Sequence, residues 1–367
     1  MLCECINNQF GQHGNSHYSP HKMKSEEILN ELTDNISSTR ITRRDALKKT
    51  VVFSTGLLTA GFLNSLQAKS PDTKFSKDGL HFLAMGDYGS GNVHQKAVAD
   101  QMAKFAKKLN APLTAVLALG DNFYNKLETE RFGRHFEDMY SKDGLDCPFY
   151  ACLGNHDYGP SYDSKQGPAK AQIQLDYAAN NPTSRWKMPA KWYAVELPDA
   201  KNPLVKIIFL DGSFFEGAMT PKEKLAQKRW LAKELKKKTK APWQWMISHY
   251  PIFTETTKRK DNERLIQEWG EHLKANPFSL YLAGHDHNLQ HLQMEGYETS
   301  FVVCGAGGAS LYDVAPSQRG FTEMILGFNH IHVTAEKTTV QFIDSNGKRL
   351  HAFQRSREGK VEVMEKV

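Results

Sequence analysis

The sequence predicts an α/β fold with a ligand site at the carboxyl ends of its strands. Two observations carry this. Five short, nearly continuous apolar runs recur along the chain, the pattern of strands buried on both faces, and helical segments separate several of them. Each run also ends in a tight cluster of Gly or Ser with Asp, Asn, His or Tyr. In sheets covered by helices, ligands bind beyond the carboxyl ends of the strands, so five such ends would gather those side chains in one place.

The first run, Leu80-His81-Phe82-Leu83-Ala84-Met85, leads into Gly86-Asp87-Tyr88-Gly89. Residues 97–109 then read as a helix. The second run, 113–119, ends at Gly120-Asp121-Asn122-Phe123-Tyr124. The third, 148–153, precedes Gly154-Asn155-His156-Asp157. Thr220-Pro221-Lys222-Glu223 opens another helix as a capping box with proline at the first helical position. Leu225, Trp230, Leu231 and Leu235 are its apolar residues. The fourth run, 243–247, leads into Ser248-His249-Tyr250-Pro251, and the fifth, 279–283, into Gly284-His285-Asp286-His287-Asn288. In extended backbone, residues i and i+2 point to the same side with Cα atoms roughly 7 Å apart. That spacing suits two imidazoles converging on metal ions about 3.5–4 Å apart. Taken singly, Gly-Asp is an ordinary turn, Asn155 a helix cap and His249 a satisfied buried histidine. Five such clusters in this order are not explained as turns. Last, residues 338–344 and 350–354 flank Asn346-Gly347 and predict a hairpin with no catalytic role.

Composition bounds the function. At 40% hydrophobic and 24% charged, the 367-residue chain is globular rather than disordered throughout. The net charge of +6 includes short runs such as Lys236-Lys237-Lys238 and Lys258-Arg259-Lys260, which read as solvated surface. No long basic track with interleaved aromatics suggests a nucleic-acid partner. Of five cysteines, Cys3 and Cys5 lie in the tail and Cys147, Cys152 and Cys304 in the body; one disulfide is allowed, and no Cys-x-x-Cys pair marks a zinc or redox motif.

Four segments follow. Residues 1–40 are a polar tail, disordered or a mis-assigned start with Met23 as the alternative beginning. Residues 41–68 read as an export signal: a basic stretch with Arg43-Arg44, a short apolar region and Ala68 at a cleavage point. The paired arginines resemble a twin-arginine signal, with Ala46 where such signals usually carry Phe. Uncleaved, this segment would be a membrane anchor; it is the one membrane contact expected of a periplasmic or secreted protein. Residues 78–355 form the domain that carries the five clusters and 356–367 a C-terminal tail.

At the five clusters the chain resembles the calcineurin-like metallophosphoesterases, and more closely the small, tartrate-resistant purple acid phosphatases. Arg185-Trp186-Lys187-Met188-Pro189 and Asn288-Leu289-Gln290 also match. The resemblance implies an αββα sandwich of two central mixed sheets flanked by helices. Ordinary relatives carry Asp-x-His in the first motif, where this chain has Gly89; Tyr124 supplies the replacement ligand, and a phenolate favours trivalent iron. By resemblance, Asp87, Tyr124 and His287 hold Fe(III). Asn155, His249 and His285 hold a divalent ion (Fe, Zn or Mn), and Asp121 bridges the two. The implied reaction is hydrolysis of phosphate monoesters by a metal-bound hydroxide, with His156 stabilising the phosphoryl group or protonating the leaving group. Its partners are small phosphate esters, phosphoproteins or nucleotides. A phosphodiesterase or nucleotide hydrolase on the same scaffold, and a redox-active di-iron protein, are the alternatives. These phosphatases carry another histidine shortly after His-Tyr-Pro. Here that stretch is Ile252-Phe253-Thr254-Glu255-Thr256-Thr257-Lys258, so Lys258 is a candidate substrate-binding residue in its place.

Replacing Arg43 and Arg44 together by lysine is expected to stop export and leave full-length protein in the cytoplasm. Fractionation that finds the wild-type chain only in the cytoplasm would refute the signal.

Overall fold

Apolar runs without alternation need cover on both faces, and two sheets packed together inside helices provide it. The structure, a computed structural model, describes residues 79–158, 167–216 and 218–364. The expected polar tail and export signal, residues 1–68, lie outside the described residues. In chain order the strands are β1 (Leu80–Met85), β2 (Ala115–Ala118), β3 (Phe149–Ala151), β4 (Trp186–Lys187), β5 (Tyr193–Leu197), β6 (Val205–Leu210), β7 (Trp243–Ser248) and β8 (Phe278–Ala283). They continue with β9 (Leu289–Gln293), β10 (Ser300–Cys304), β11 (Gly320–Glu323), β12 (Gly327–Val333), β13 (Lys337–Asp344), β14 (Arg349–Ser356) and β15 (Val361–Val363). The longer helices are α1 (Val93–Lys108), α2 (Gly167–Asn180), α3 (Pro221–Glu234) and α4 (Glu263–Ala275).

One sheet has the order β15-β14-β13-β12-β1-β2-β3-β4 and the other β11-β9-β10-β8-β7-β6-β5. Both are mixed: β1 is parallel to β2 and antiparallel to β12, while β8 is parallel to β7 and β10, and β9 is antiparallel to β10. The five apolar runs are therefore interior strands, β1–β3 of one sheet and β7–β8 of the other. Phe82 of β1 meets Trp245 of β7 edge to face at 5.3 Å within the core. A second apolar cluster combines Ile208, Met246 and Tyr281 of the second sheet with Leu231 of α3 and Leu265 and Trp269 of α4. At the carboxyl ends the sheets are stitched directly. The Gly86 N–H donates to the Cys304 carbonyl at 2.7 Å, and the Gly307 N–H to the Gly86 carbonyl at 3.0 Å.

The capping box at Thr220 and Glu223 forms as expected. Helix α1 starts earlier than the apolar pattern predicts, because the Asn92 side chain accepts the N–H groups of His94 and Gln95 and so caps a turn with little apolar content. The expected hairpin is β13–β14, with Gly347 at φ 90°. Beyond residue 355 the chain does not leave the fold: β15 pairs with β14. Cys147, Cys152 and Cys304 are buried free thiols. Among the described residues no helix is long and apolar enough to cross a membrane.

Three buried histidines join β1 to β12. His81 Nδ1 lies 3.1 Å from His330 Nε2, and the His81 and His332 rings stack at 4.3 Å. Burial, then the neighbouring His332, lowers the His81 pKa to about 4. An unfolded histidine titrates near 6.5. As pH falls from about 6.5 to about 4 the unfolded chain takes up a proton that the folded chain refuses, so this contribution is full above 6.5 and is lost through that window. The thermal-midpoint advantage of wild type over His81→Phe is expected to shrink between pH 7 and 4.5. A pH-independent difference would refute the assignment.

Candidate metal centre

Three of the cluster's residues sit in strained backbone. Asp87 (φ 58°), Asp121 (φ 51°) and His285 (φ 66°) are three of the five non-glycine residues with positive φ among those described. This conformation costs roughly 1–3 kcal/mol for a side-chain-bearing residue and persists only where surrounding contacts fix it. Each lies two or three residues past the end of a strand, and each is bonded across motifs. Asp87 Oδ2 accepts the His285 N–H at 2.7 Å, and Asp121 Oδ1 accepts the His156 N–H at 2.8 Å.

The side chains converge in two groups. In the first, Tyr124 Oη is 3.4 Å from Asp87 Oδ1 and 3.3 Å from His287 Nε2, and His287 Nε2 is 3.2 Å from Asp87 Oδ1. In the second, Asn155 Oδ1 is 3.2 Å from His249 Nε2 and 3.0 Å from His285 Nδ1, and the two imidazole nitrogens are 3.2 Å apart. Asp121 stands between them. Its Oδ1 is 3.4 Å from His249 Nε2, and Asp87, Asp121 and His287 offer donor atoms that all lie within 4.8 Å of one another. Among the described residues this is the one group of three or more His, Cys, Asp or Glu so placed.

The ring orientations are set from behind. His249 Nδ1 lies 2.8 Å from the Leu119 carbonyl and His287 Nδ1 2.6 Å from the Ser310 carbonyl. A carbonyl only accepts, so each Nδ1 carries the proton and each Nε2 turns a lone pair into the cluster. Lone pairs of imidazole, amide and carboxylate thus face one another, a donor set that fits metal cations. Burial lowers His249 and His287, but the carboxylates outweigh it and raise both, Asp121 and Asp87 acting on His249 and Asp87 on His287, so without a cation the Nε2 positions draw protons in its place. Burial, helped by Asp87 and opposed by His249, raises Asp121 to about 6. Burial pushes the Asp87 carboxyl up, but His249 and His287 beside it outweigh this and hold it below the usual range. Burial, then Asp87 and Asp121, drives the Tyr124 phenol well above its ordinary value, so its ionisation calls for a strong cation alongside.

His156 is placed differently. It keeps 23% of its side chain exposed beside a buried Asp121, its Nε2 is 4.0 Å from Asp121 Oδ2, and its ring centre is 4.6 Å from that of Tyr124. Lys258 is not brought into the cluster: its ammonium lies 3.3 Å from the centre of the Tyr312 ring, which stacks on His287 at 4.0 Å. Arg185 holds the carbonyls of Tyr140 and Leu145 and pairs with Glu137, a packing role.

Several supporting residues were not assigned from sequence. The buried Asp157 accepts N–H groups from Gly154 (2.8 Å), Asn122 (3.0 Å) and Phe123 (3.2 Å), tying the third motif to the second. It stands inside a recognised motif, and that adjacency was its signal. Buried Lys170 of α2 donates to the carbonyls of Phe123 (2.7 Å) and His156. No local pattern marks Lys170 or Tyr312.

Two mixed sheets with outer helices, and this donor set where their strand ends join, define a metallophosphoesterase. The chain belongs to the calcineurin-like phosphoesterase family, whose model matches residues 80–289. It is similar to purple acid phosphatase 7 of Arabidopsis thaliana, at 28% identity over 79% of this chain and 90% of that protein. It is equally similar to human tartrate-resistant acid phosphatase type 5, at 28% identity over 74% of this chain and 89% of that one. Among solved structures, GAP50, the anchor in the inner membrane complex of Plasmodium, superposes with a TM-score of 0.63 at 22% identity, covering 79% of this chain and 90% of GAP50. Purple acid phosphatase PPD1 of yellow lupin gives 0.54 at 15% identity, over 76% of this chain and 53% of that one. These two likenesses concern the fold.

Gly284 allows the close approach of the motifs. A Cβ there would lie 2.6 Å from Asp87 Oδ2 and 2.9 Å from the Leu119 carbonyl, nearer than real Cβ atoms come. Gly284→Ala is expected to cost about 1–3 kcal/mol in stability and to weaken binding of added divalent metal at least tenfold, read by thermal melts and elemental analysis. Wild-type values for both would show that the strand ends have room to spare.

Proposed function

We propose that this protein is an acid phosphatase that hydrolyses phosphate monoesters with an Fe(III)–divalent metal pair. The observation that carries the reading is the division of seven donor side chains into two groups with Asp121 between them. Asp87, Tyr124 and His287 would hold the trivalent ion, Asn155, His249 and His285 the divalent one, and Asp121 would touch both. When bound, such a pair supplies charge to polarise the phosphate and water acidic enough to attack phosphorus below neutral pH.

The chain's own contribution is orientation. Leu119 and Ser310 fix the tautomers of His249 and His287. Asp157 and Lys170 hold the backbone at Phe123, next to Tyr124, and at Gly154 and His156. His156, the more open imidazole, is the group placed to meet a phosphate oxygen or the leaving oxygen. Lys258 is held on the outer face of Tyr312, since an imidazole already stacked on one face leaves the ammonium only the other. The stretch 252–258 holds no histidine, which leaves His156 as the imidazole of these motifs placed to protonate a leaving group. We therefore infer a preference for esters with good leaving groups.

The similarity to purple and tartrate-resistant acid phosphatases supports monoesters over diesters. Turnover of an aryl monoester beside an aryl diester, with a series of monoesters of graded leaving-group pKa, tests both points. A monoester rate at least tenfold above the diester rate is expected, with kcat/KM falling steeply as leaving-group pKa rises. Faster diester turnover would overturn the substrate class. Tyr124→Phe should bleach a visible phenolate–iron band, and an iron-loaded wild type without colour would remove Tyr124 from the ligand set.

A further inference from the structure

The segment after His249-Tyr250-Pro251 lacks the second imidazole of the purple phosphatases, and here it does something else. It runs behind the His285-Asp286-His287 turn and fastens to it. The Thr254 hydroxyl donates to Asp286 Oδ2 at 2.5 Å and accepts from Gln290 Nε2 at 3.1 Å. Arg259 Nη1 donates to Asp286 Oδ1 and, at 3.5 Å, to the His285 carbonyl. The same guanidinium lies 5.4 Å from the centre of the Tyr312 ring, which stacks on His287 and whose N–H donates to the His287 carbonyl at 3.0 Å. The segment is anchored in turn. Arg319 pairs with Glu255 and Asp261 and donates to the Thr254 carbonyl at 2.8 Å, and Thr256 bridges to Val314.

Asp286 is fully buried, with its carboxylate turned from the donor cluster to this segment. A buried carboxylate is stable only when compensated, and here each of its oxygens has a partner. Its two neighbours belong to different halves of the centre: His285 stands with Asn155 and His249, His287 with Asp87 and Tyr124. Any rotation of the turn would move both at once, one in each group.

We propose that Arg259, through Asp286, is the positioning residue that fixes the His285–His287 turn and so sets both halves of the metal centre together. Arg259 touches Asp286 and the His285 backbone directly and reaches His287 by way of Tyr312, so one guanidinium restrains the turn from both sides. This rests on the two-metal reading above.

Metal content and the kinetics of ion loss decide it. Elemental analysis of wild-type protein first gives the ions per chain; fewer than two would overturn the two-metal reading and this inference with it. With two ions bound, loss of each to a chelator is followed over time in Arg259→Met, Arg259→Lys, Asp286→Asn and the Arg259→Met/Asp286→Asn double variant, beside thermal melts of the metal-free chains. The expected result is loss of both ions at least tenfold faster in Arg259→Met, partial recovery in Arg259→Lys, and a double variant no worse than the worse single, since both changes remove one pairing. Loss within twofold of wild type in Arg259→Met, or accelerated loss of one ion alone, would overturn the inference and leave the two-metal reading standing. A lowered midpoint of the metal-free chain with unchanged ion loss would make the pair merely structural and overturn it equally. Arg259 lies partly exposed on the rim, so its variants decide the matter even if Asp286→Asn does not fold.

Discussion

Two carboxylates buried beside each other repel, and water is not there to screen them. Asp87 and Asp121 are in that position, with exposures of 0% and 1%. Two imidazoles from the other sheet, His249 and His287, stand against them, with His285 behind His249, and much of the local architecture serves to hold opposing groups in place. Unpaired buried charge in such surroundings costs several kcal/mol per ion after relaxation. The cluster is therefore tolerable only if its charges are balanced, by protons on the imidazoles or by bound cations. The lone pairs turned inward by Leu119 and Ser310 favour cations.

That constraint explains the backbone around the cluster. Left-handed residues at Asp87, Asp121 and His285, and a glycine at 284 with no room for a side chain, bring the ends of β1, β2 and β8 closer than ordinary turns allow. The hydrogen bonds that hold them run between motifs, and some run between sheets. Neither sheet carries a complete site. The eight-stranded sheet supplies the carboxylates, Tyr124 and Asn155, and the seven-stranded sheet supplies the three histidines. Packing of one sheet on the other is thus a condition of the chemistry as well as of stability.

The fold does not settle the function. The same architecture is found in purple acid phosphatase PPD1 and in GAP50, the anchor of an inner membrane complex. What separates possibilities on a shared scaffold is the site itself. In this chain seven donor side chains converge there, and the rim beside them is reinforced by Arg259, Tyr312 and Arg319 around the His285-Asp286-His287 turn.

Much of this was written locally in the sequence. Strands β1, β2, β3, β7 and β8 were legible because burial on both faces demands uninterrupted apolar residues, and the cluster residues were legible because each follows such a run. The Thr220 cap and the Asn346-Gly347 turn were legible because their hydrogen bonds close within a few residues. The early start of α1, the return of the chain as β15 and the place of Lys258 were not. Only the tertiary structure decided that Asp157 ties two motifs, that Lys170 is buried against carbonyls, that Lys258 rests on Tyr312 and that Arg259 reaches Asp286. Those contacts join residues whose partners lie from about a dozen to more than fifty positions away. A side chain's identity states what it can bond to, but which distant group meets it is fixed only when the two sheets pack.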